Sequence, residues 1–183
     1  MRYTIALPAL GVFCLLAACS REPAPETPER VTATAAPDVE WRQHGLDDAE
    51  TRHSPLAQID TENVAELGLA WYFDYPTARG KEATPLVIDG TIYTTGSWSH
   101  VFAHDARSGE LKWFYNPEVP RDWAVHLCCD VVNRGVAHRD GHLFFGTLDG
   151  RLVSLNAADG SLRWEVQTTD TSKPYSITGA PRI

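Results

Sequence analysis

The chain has 183 residues, 43% of them hydrophobic and 22% charged, with 16 basic against 24 acidic side chains and a formal net charge of −8. Nucleic-acid binding rewards clustered Lys and Arg, and neither that balance nor any basic stripe interleaved with aromatics is present, so a nucleic-acid partner is excluded. Cys128 and Cys129 are adjacent, which makes the redox compartment the first question.

The chain opens with a short positive region at Arg2, then a mostly apolar run from Ile5 to Ala18. A bilayer-spanning helix takes ~20 apolar residues, so this run reads as a signal sequence. It ends Leu16-Ala17-Ala18-Cys19. Small residues before a cysteine resemble a lipobox, so residues 1–18 read as a lipoprotein signal peptide and Cys19 as the lipidated N-terminus. A plain secretory signal cut nearby is the other reading. Both predict an exported, periplasmic chain in which disulfides persist. Ser20 after the cysteine favours the outer over the inner membrane. Residues 19–38 carry Pro23, Pro25, Pro28 and Pro37 among Glu, Thr and Ala. That composition cannot bury a core and predicts a disordered tether.

Residues 39–183 read as an all-β body. A single helical stretch is expected over Thr61 to Leu67, capped at its start. The rest repeats. Asp89-Gly90 recurs as Asp140-Gly141, Gly109 as Gly160 and Trp113 as Trp164, each 51 positions on. Repeats of roughly 40–50 residues with several short strands mark propeller blades. In the first copy, Leu86-Val87-Ile88 is a strand and Asp89-Gly90 a hairpin turn. Thr91 to Thr94 returns, Val101 to His104 is a third strand, Asp105 to Gly109 a loop, and Leu111 to Tyr115 a fourth strand. The second copy predicts strands at Val136 to His138, Leu143 to Gly146, Arg151 to Leu155 and Leu162 to Val166. Blade repeats thus fall near 83–115 and 134–166, and a third begins at 178–183. Trp71, Trp113 and Trp164 are expected to close strands and to pack between neighbouring blades.

The cysteine pair has two readings. Cα atoms across a trans peptide sit ~3.8 Å apart, whereas an ordinary disulfide wants ~4.4–6.8 Å. A bond between neighbours closes a small strained ring, which proteins tolerate where a ligand site over-determines it. Cys14 leaves with the signal and Cys19 takes lipid, so the only disulfide left within the chain joins Cys128 to Cys129. The other reading is two reduced thiols, one of them buried. The histidine pairs His100/His104 and His138/His142 predict no zinc site. On a strand, four residues separate the rings by ~13 Å, although His138 and His142 flank a turn and could meet across it.

Several motifs carry a family resemblance. Arg52-His53-Ser54-Pro55-Leu56 leads in, followed by Asn63-Val64, Leu67-Gly68-Leu69-Ala70-Trp71, Glu82-Ala83-Thr84-Pro85 and Thr95-Gly96-Ser97-Trp98-Ser99. Cys128-Cys129-Asp130-Val131-Val132-Asn133-Arg134-Gly135 and Ile177-Thr178-Gly179-Ala180-Pro181-Arg182 complete the set. From Trp41 to Ile183 the chain resembles the N-terminal part of the pyrroloquinoline quinone (PQQ)-dependent alcohol dehydrogenases, of the quinoprotein and quinohaemoprotein group. The resemblance implies an eight-bladed β-propeller with the quinone in a chamber on the axis. It also implies that Cys128 and Cys129 form a vicinal disulfide lying against one cofactor face. Arg134 would pair with a cofactor carboxylate, Thr178 would donate to the rim, and Glu82 would sit at the edge. Their plainer alternatives are an Arg134–Asp130 surface pair, a Thr178 that orders the Ser176–Gly179 turn, and an exposed Glu82 beside Lys81.

The chemistry implied is oxidation of a primary alcohol to an aldehyde. Calcium acts as Lewis acid, a carboxylate as general base, and electrons pass to a cytochrome c. By family order the calcium ligands, the stacking tryptophan and the catalytic Asp lie beyond Ile183, so no catalytic or metal residue is assigned here. Haem c would belong to a further C-terminal domain. The chain is therefore expected to be an N-terminal fragment, inactive alone. The alternatives are a lipid-anchored, non-catalytic propeller of the outer-membrane assembly type, which binds proteins, and a truncated remnant.

Overall fold

A computed structural model describes residues 39–183. The signal peptide, Cys19 and the 19–38 tether lie outside the described residues. Two four-stranded antiparallel sheets make up the body, each a simple meander. The first holds β1 (Leu86–Ile88), β2 (Thr91–Thr95), β3 (Val101–Asp105) and β4 (Leu111–Tyr115). The second holds β5 (Ala137–Arg139), β6 (His142–Gly146), β7 (Arg151–Asn156) and β8 (Leu162–Gln167).

Local chemistry sets these elements. Asp89 and Gly90 have φ of 48° and 69°, and Asp140 and Gly141 have 50° and 74°. A tight two-residue hairpin with both central residues at positive φ takes Asp-Gly readily. The irregularity between Ala103 and His104 in β3 recurs between Ser154 and Leu155 in β7. In the loop after β3, the Asp105 carboxylate accepts from the amides of Arg107 and Ser108. Gly109 then turns the chain at φ 76°.

The core lies between the two sheets. Leu86, Ile88, Tyr93, Val101 and Ala103 of the first pack against Leu143, Phe145, Val153 and Leu155 of the second, with Val136 just before β5 and Ala157 just after β7. Each fully buried large apolar side chain there contributes roughly 1.5–3 kcal/mol. The outer strand β8 is exposed along its length.

Tryptophan joins one blade to the next. The Trp113 indole donates to Ala157 O at 3.0 Å and covers Gly160, where a Cβ would fall 2.6 Å from the ring. Trp71 repeats the pattern one blade earlier. It donates to Ala106 O at 3.2 Å and covers Gly109, where a Cβ would fall 2.5 Å from its ring. The expected strand ends need correction. Trp113 and Trp164 stand within β4 and β8, and Trp71 lies in an extended stretch with no ladder among the described residues. The expected helix over Thr61 to Leu67 is one 3₁₀ turn, Val64–Glu66. Its N-cap is Asn63, with no side-chain cap hydrogen bond, and the Asp60 carboxylate ahead of it accepts from the amides of Glu62 and Asn63.

The segment before β1 packs on the first sheet and reaches the last residues of the chain. The free edge of β1 donates from Val87 N to Trp41 O at 2.9 Å, and Trp41 packs against the core. Glu40 accepts from the Asp89 amide. Glu50 pairs with Arg182 at 2.8 Å. One covalent segment thus touches the edge strand β1 of the first blade and the chain that follows the second.

Candidate functional site

Three short segments lie side by side: Glu82-Ala83-Thr84 before β1, Asn133-Arg134-Gly135 before β5, and Thr178-Gly179-Ala180 after β8. Backbone hydrogen bonds lace them, from Thr84 N to Arg134 O at 3.3 Å and from Arg134 N to Thr178 O at 2.9 Å. Gly135 has φ 129°, and a Cβ there would sit 3.1 Å from Thr84 O. Only glycine allows both that dihedral and that approach. Arg134 is consequently the middle member of the set.

Its side chain gathers the other two. One guanidinium nitrogen donates to the Thr178 hydroxyl at 2.8 Å, and the other pairs with Glu82 at 2.8 Å. Thr178 Oγ1 accepts this bond, so its own hydroxyl proton remains available to donate. The Arg134 and Glu82 side chains are 38% and 45% exposed. An ion pair that wet adds little to stability. Its consequence is orientation, with a half-exposed guanidinium held in place and N–H groups to spare for a further anion.

The Arg134–Asp130 alternative is not formed. Asp130, itself at φ 65°, takes Arg79 instead, whose Nε donates at 2.8 Å. The Val131 amide, with Arg79 after it, holds the Asp130 carboxyl below the usual carboxylate range. Glu82 likewise faces Arg134 and not Lys81, whose ammonium lies over the Tyr75 ring at 5.1 Å.

Cys128 and Cys129 form a disulfide between chain neighbours, Cα to Cα 3.8 Å, and both are exposed. The preceding loop is firmly seated. Its 3₁₀ turn, Arg121–His126, ends with Leu127 N donating to Ala124 O. The Trp123 indole donates to Tyr175 O at 3.3 Å. The Arg121 guanidinium lies 4.1 Å from the Trp98 ring centre. Beneath the loop, Val119, Val131 and Leu148 are buried. Of the Glu82–Arg134–Thr178 cluster, Arg134 alone lies in the same short stretch of chain as the disulfide, residues 128–134, and no hydrogen bond joins the two directly among the described residues.

The two histidines that flank the second hairpin turn do not meet across it. His138 pairs with Leu143 and Arg139 with His142, so the two imidazoles project from opposite faces of the hairpin. Among the described residues no three His, Cys, Asp or Glu side chains are placed to hold a metal. Two participants escaped the sequence reading, Arg79 and the buried Asn133. Asn133 stands in the Cys128–Gly135 motif, and its place two residues before a glycine, where an Asn side chain can fold back on the backbone, was the signal for its role.

A profile described as "PQQ: Glucose/ethanol/alcohol dehydrogenase, beta-propeller domain" matches residues 41–169. The chain is 56% identical over 153 residues to a 1-butanol dehydrogenase (cytochrome c) of Thauera butanivorans, covering 83% of this chain and 22% of that protein. It is also 56% identical over 153 residues to quinohemoprotein alcohol dehydrogenase ADH IIB of Pseudomonas putida, again 22% of that protein. The structure superposes on quinohemoprotein alcohol dehydrogenase from Comamonas testosteroni with a TM-score of 0.77 at 47% identity, covering 82% of this chain and 23% of that one. The chain thus spans about a fifth of the length of the relatives it matches. Its two sheets are two blades of a propeller, and the chain belongs to the PQQ-type β-propeller family of glucose, ethanol and alcohol dehydrogenases.

Proposed function

We propose that Glu82, Arg134, Thr178 and the Cys128–Cys129 disulfide form one wall of a PQQ site in a periplasmic alcohol dehydrogenase. The observation that carries this reading is the Arg134 guanidinium, bridged to Thr178 and Glu82 on one side and exposed on the other. A planar quinone with three carboxyl groups suits this set. Arg134 offers a fork to a carboxylate, and the freed Thr178 proton offers a neutral donor beside it. The exposed disulfide offers a compact, polarizable surface with no competing hydrogen-bond donor. Glu82 neutralises part of the guanidinium charge and restricts its rotation.

When bound, the quinone accepts the two electrons and two protons released as a primary alcohol becomes an aldehyde. This chain's residues bind and orient it. Arg134 would hold one carboxylate, Thr178 would donate to the cofactor, and the disulfide would offer it a flat contact surface. The general base and the calcium ligands are assigned to no residue of this chain, and the same holds for a haem c domain. Electron transfer to a cytochrome is supported by the printed name of the Thauera relative. The lipid anchor at Cys19 rests on the lipobox alone. A protein-binding scaffold has no use for an arginine fork close in sequence to a vicinal disulfide, which weighs against the outer-membrane assembly reading.

The test has two arms. Thiol labelling of the purified chain should find Cys128 and Cys129 unreactive before reduction and both reactive after it. With PQQ, calcium and ethanol, the chain alone should reduce no dye, whereas the protein at its relatives' full length should. Two free thiols before reduction would remove the disulfide wall, and dye reduction by the chain alone would refute the division of the site between this chain and further blades.

A further inference from the structure

We infer that Asn133 is a positioning residue for the Arg134 fork, acting through the contact between the two blades. The geometry stands on its own; its consequence for cofactor binding rests on the quinone reading above. Asn133 is buried, 1% exposed. Its Nδ2 donates to Gly146 O at 2.8 Å and to Ser99 Oγ at 3.3 Å. Its Oδ1 accepts from the Gly135 amide at 3.1 Å. Its carbonyl accepts from the Thr95 hydroxyl at 3.2 Å. Thr95 ends β2 of the first blade and Gly146 ends β6 of the second. One residue therefore ties both blades to the corner that carries Arg134.

Asparagine suits this place for a chemical reason. A carboxamide presents two donors and an acceptor on a short stem. Aspartate would keep the acceptor for Gly135 N and turn an oxygen toward Gly146 O, acceptor against acceptor in a buried setting. The Oδ1 to Gly135 N bond closes an Asx turn with Arg134 as its central residue. Arg134 is then held at its amide by Thr178 O, at its carbonyl by Thr84 N, and on both flanks by Asn133 and Gly135. A long side chain sacrifices rotamer freedom when it is ordered. Fixing its root leaves less of that freedom to lose when the guanidinium takes a ligand.

The experiment reads Arg134 directly in the whole chain. Nitrogen-15 NMR of the wild type should show resolved guanidinium signals for Arg134, restricted by Thr178 and Glu82. Asn133→Asp, nearly unchanged in volume, should collapse them to the averaged behaviour of the exposed loop arginine Arg107. Thr95→Val removes only the hydroxyl donor to the Asn133 carbonyl and should move the same signals less, which keeps the test decisive if Asn133→Asp does not fold. Unchanged Arg134 signals in a folded variant of either kind overturn the proposal.

A second arm uses the protein at full length with PQQ as the probe. Asn133→Asp should weaken PQQ binding roughly tenfold when Arg134 is present, and little further once Arg134 is alanine. Additive losses overturn the positioning role. PQQ binding indifferent to Arg134→Ala overturns the quinone reading instead, and the NMR signals then decide on Asn133.

Discussion

The Arg134 guanidinium donates to the Thr178 hydroxyl at 2.8 Å although the two residues are 44 positions apart and flank opposite ends of the second blade. Arg134→Lys keeps the charge and loses the fork. Because Arg134 and Glu82 are each more than a third exposed, folding stability should fall by less than about 1 kcal/mol. PQQ affinity at full length should fall about tenfold, since a compact ammonium has no planar fork with which to meet a carboxylate while holding Thr178 and Glu82. Urea unfolding and a PQQ titration measure the two effects separately. A stability loss with no affinity loss would make Arg134 a structural residue.

The tryptophan joint between blades should be the more costly place to disturb. Gly160 has φ 72°, and an added Cβ would collide with Trp113. Gly160→Ala combines left-handed backbone strain with overpacking and should lose about 2–5 kcal/mol. Gly141→Ala shares the positive φ of 74° and meets nothing within 4 Å, so it should lose only about 1–2 kcal/mol. Equal urea midpoints for the two variants would show that Trp113 carries no interlocking role.

Acid should weaken the fold through its half-buried histidines. Burial holds His138 below the ordinary histidine value, with Arg42 adding to the effect. Burial does the same for His100, with Arg121 behind it. The unfolded chain protonates these imidazoles near ~6.5 while the folded chain resists, so falling pH favours the unfolded state below that point. Above it this contribution is fully present. The urea midpoint should therefore be lower at pH 5.5 than at 7.5, and His138→Gln should flatten part of the difference. A midpoint that rises on acidification would reverse the sign.

Reduction of the Cys128–Cys129 bond should leave the blades intact. The bridge closes a loop between chain neighbours, and so small a loop removes little entropy from the unfolded chain, about 1 kcal/mol or less. Circular dichroism and urea unfolding with and without a phosphine reductant would measure this. Global unfolding on reduction would give the disulfide a structural role that its separation of one residue does not suggest.

Much of the fold was legible because turns punctuate it. Asp89-Gly90 and Asp140-Gly141 mark hairpins by backbone chemistry, and the 51-residue period carries β1, β2 and β4 onto β5, β6 and β8 within a residue. The 3₁₀ turns at Ser97–Ser99 and Arg121–His126 were not legible, because neither shows an apolar period. Trp98 and Ser99 hold positive φ that nothing in their residue types signals. The sequence singles out Arg134 but does not show which side chains it meets. Asp130 is nearer in sequence, yet Arg79 claims it from across a loop, while Glu82 and Thr178 reach Arg134 from neighbouring blades. Such pairings follow from how blades stack, which no local pattern encodes.

The most direct measurement is a PQQ titration of the protein at its relatives' full length, comparing wild type, Arg134→Ala and Arg107→Ala. A quinone wall at Glu82, Arg134, Thr178 and the disulfide predicts binding at least about tenfold weaker in Arg134→Ala and unchanged binding in Arg107→Ala, which removes the same charge from an exposed loop. Equal affinities for all three proteins would contradict that wall.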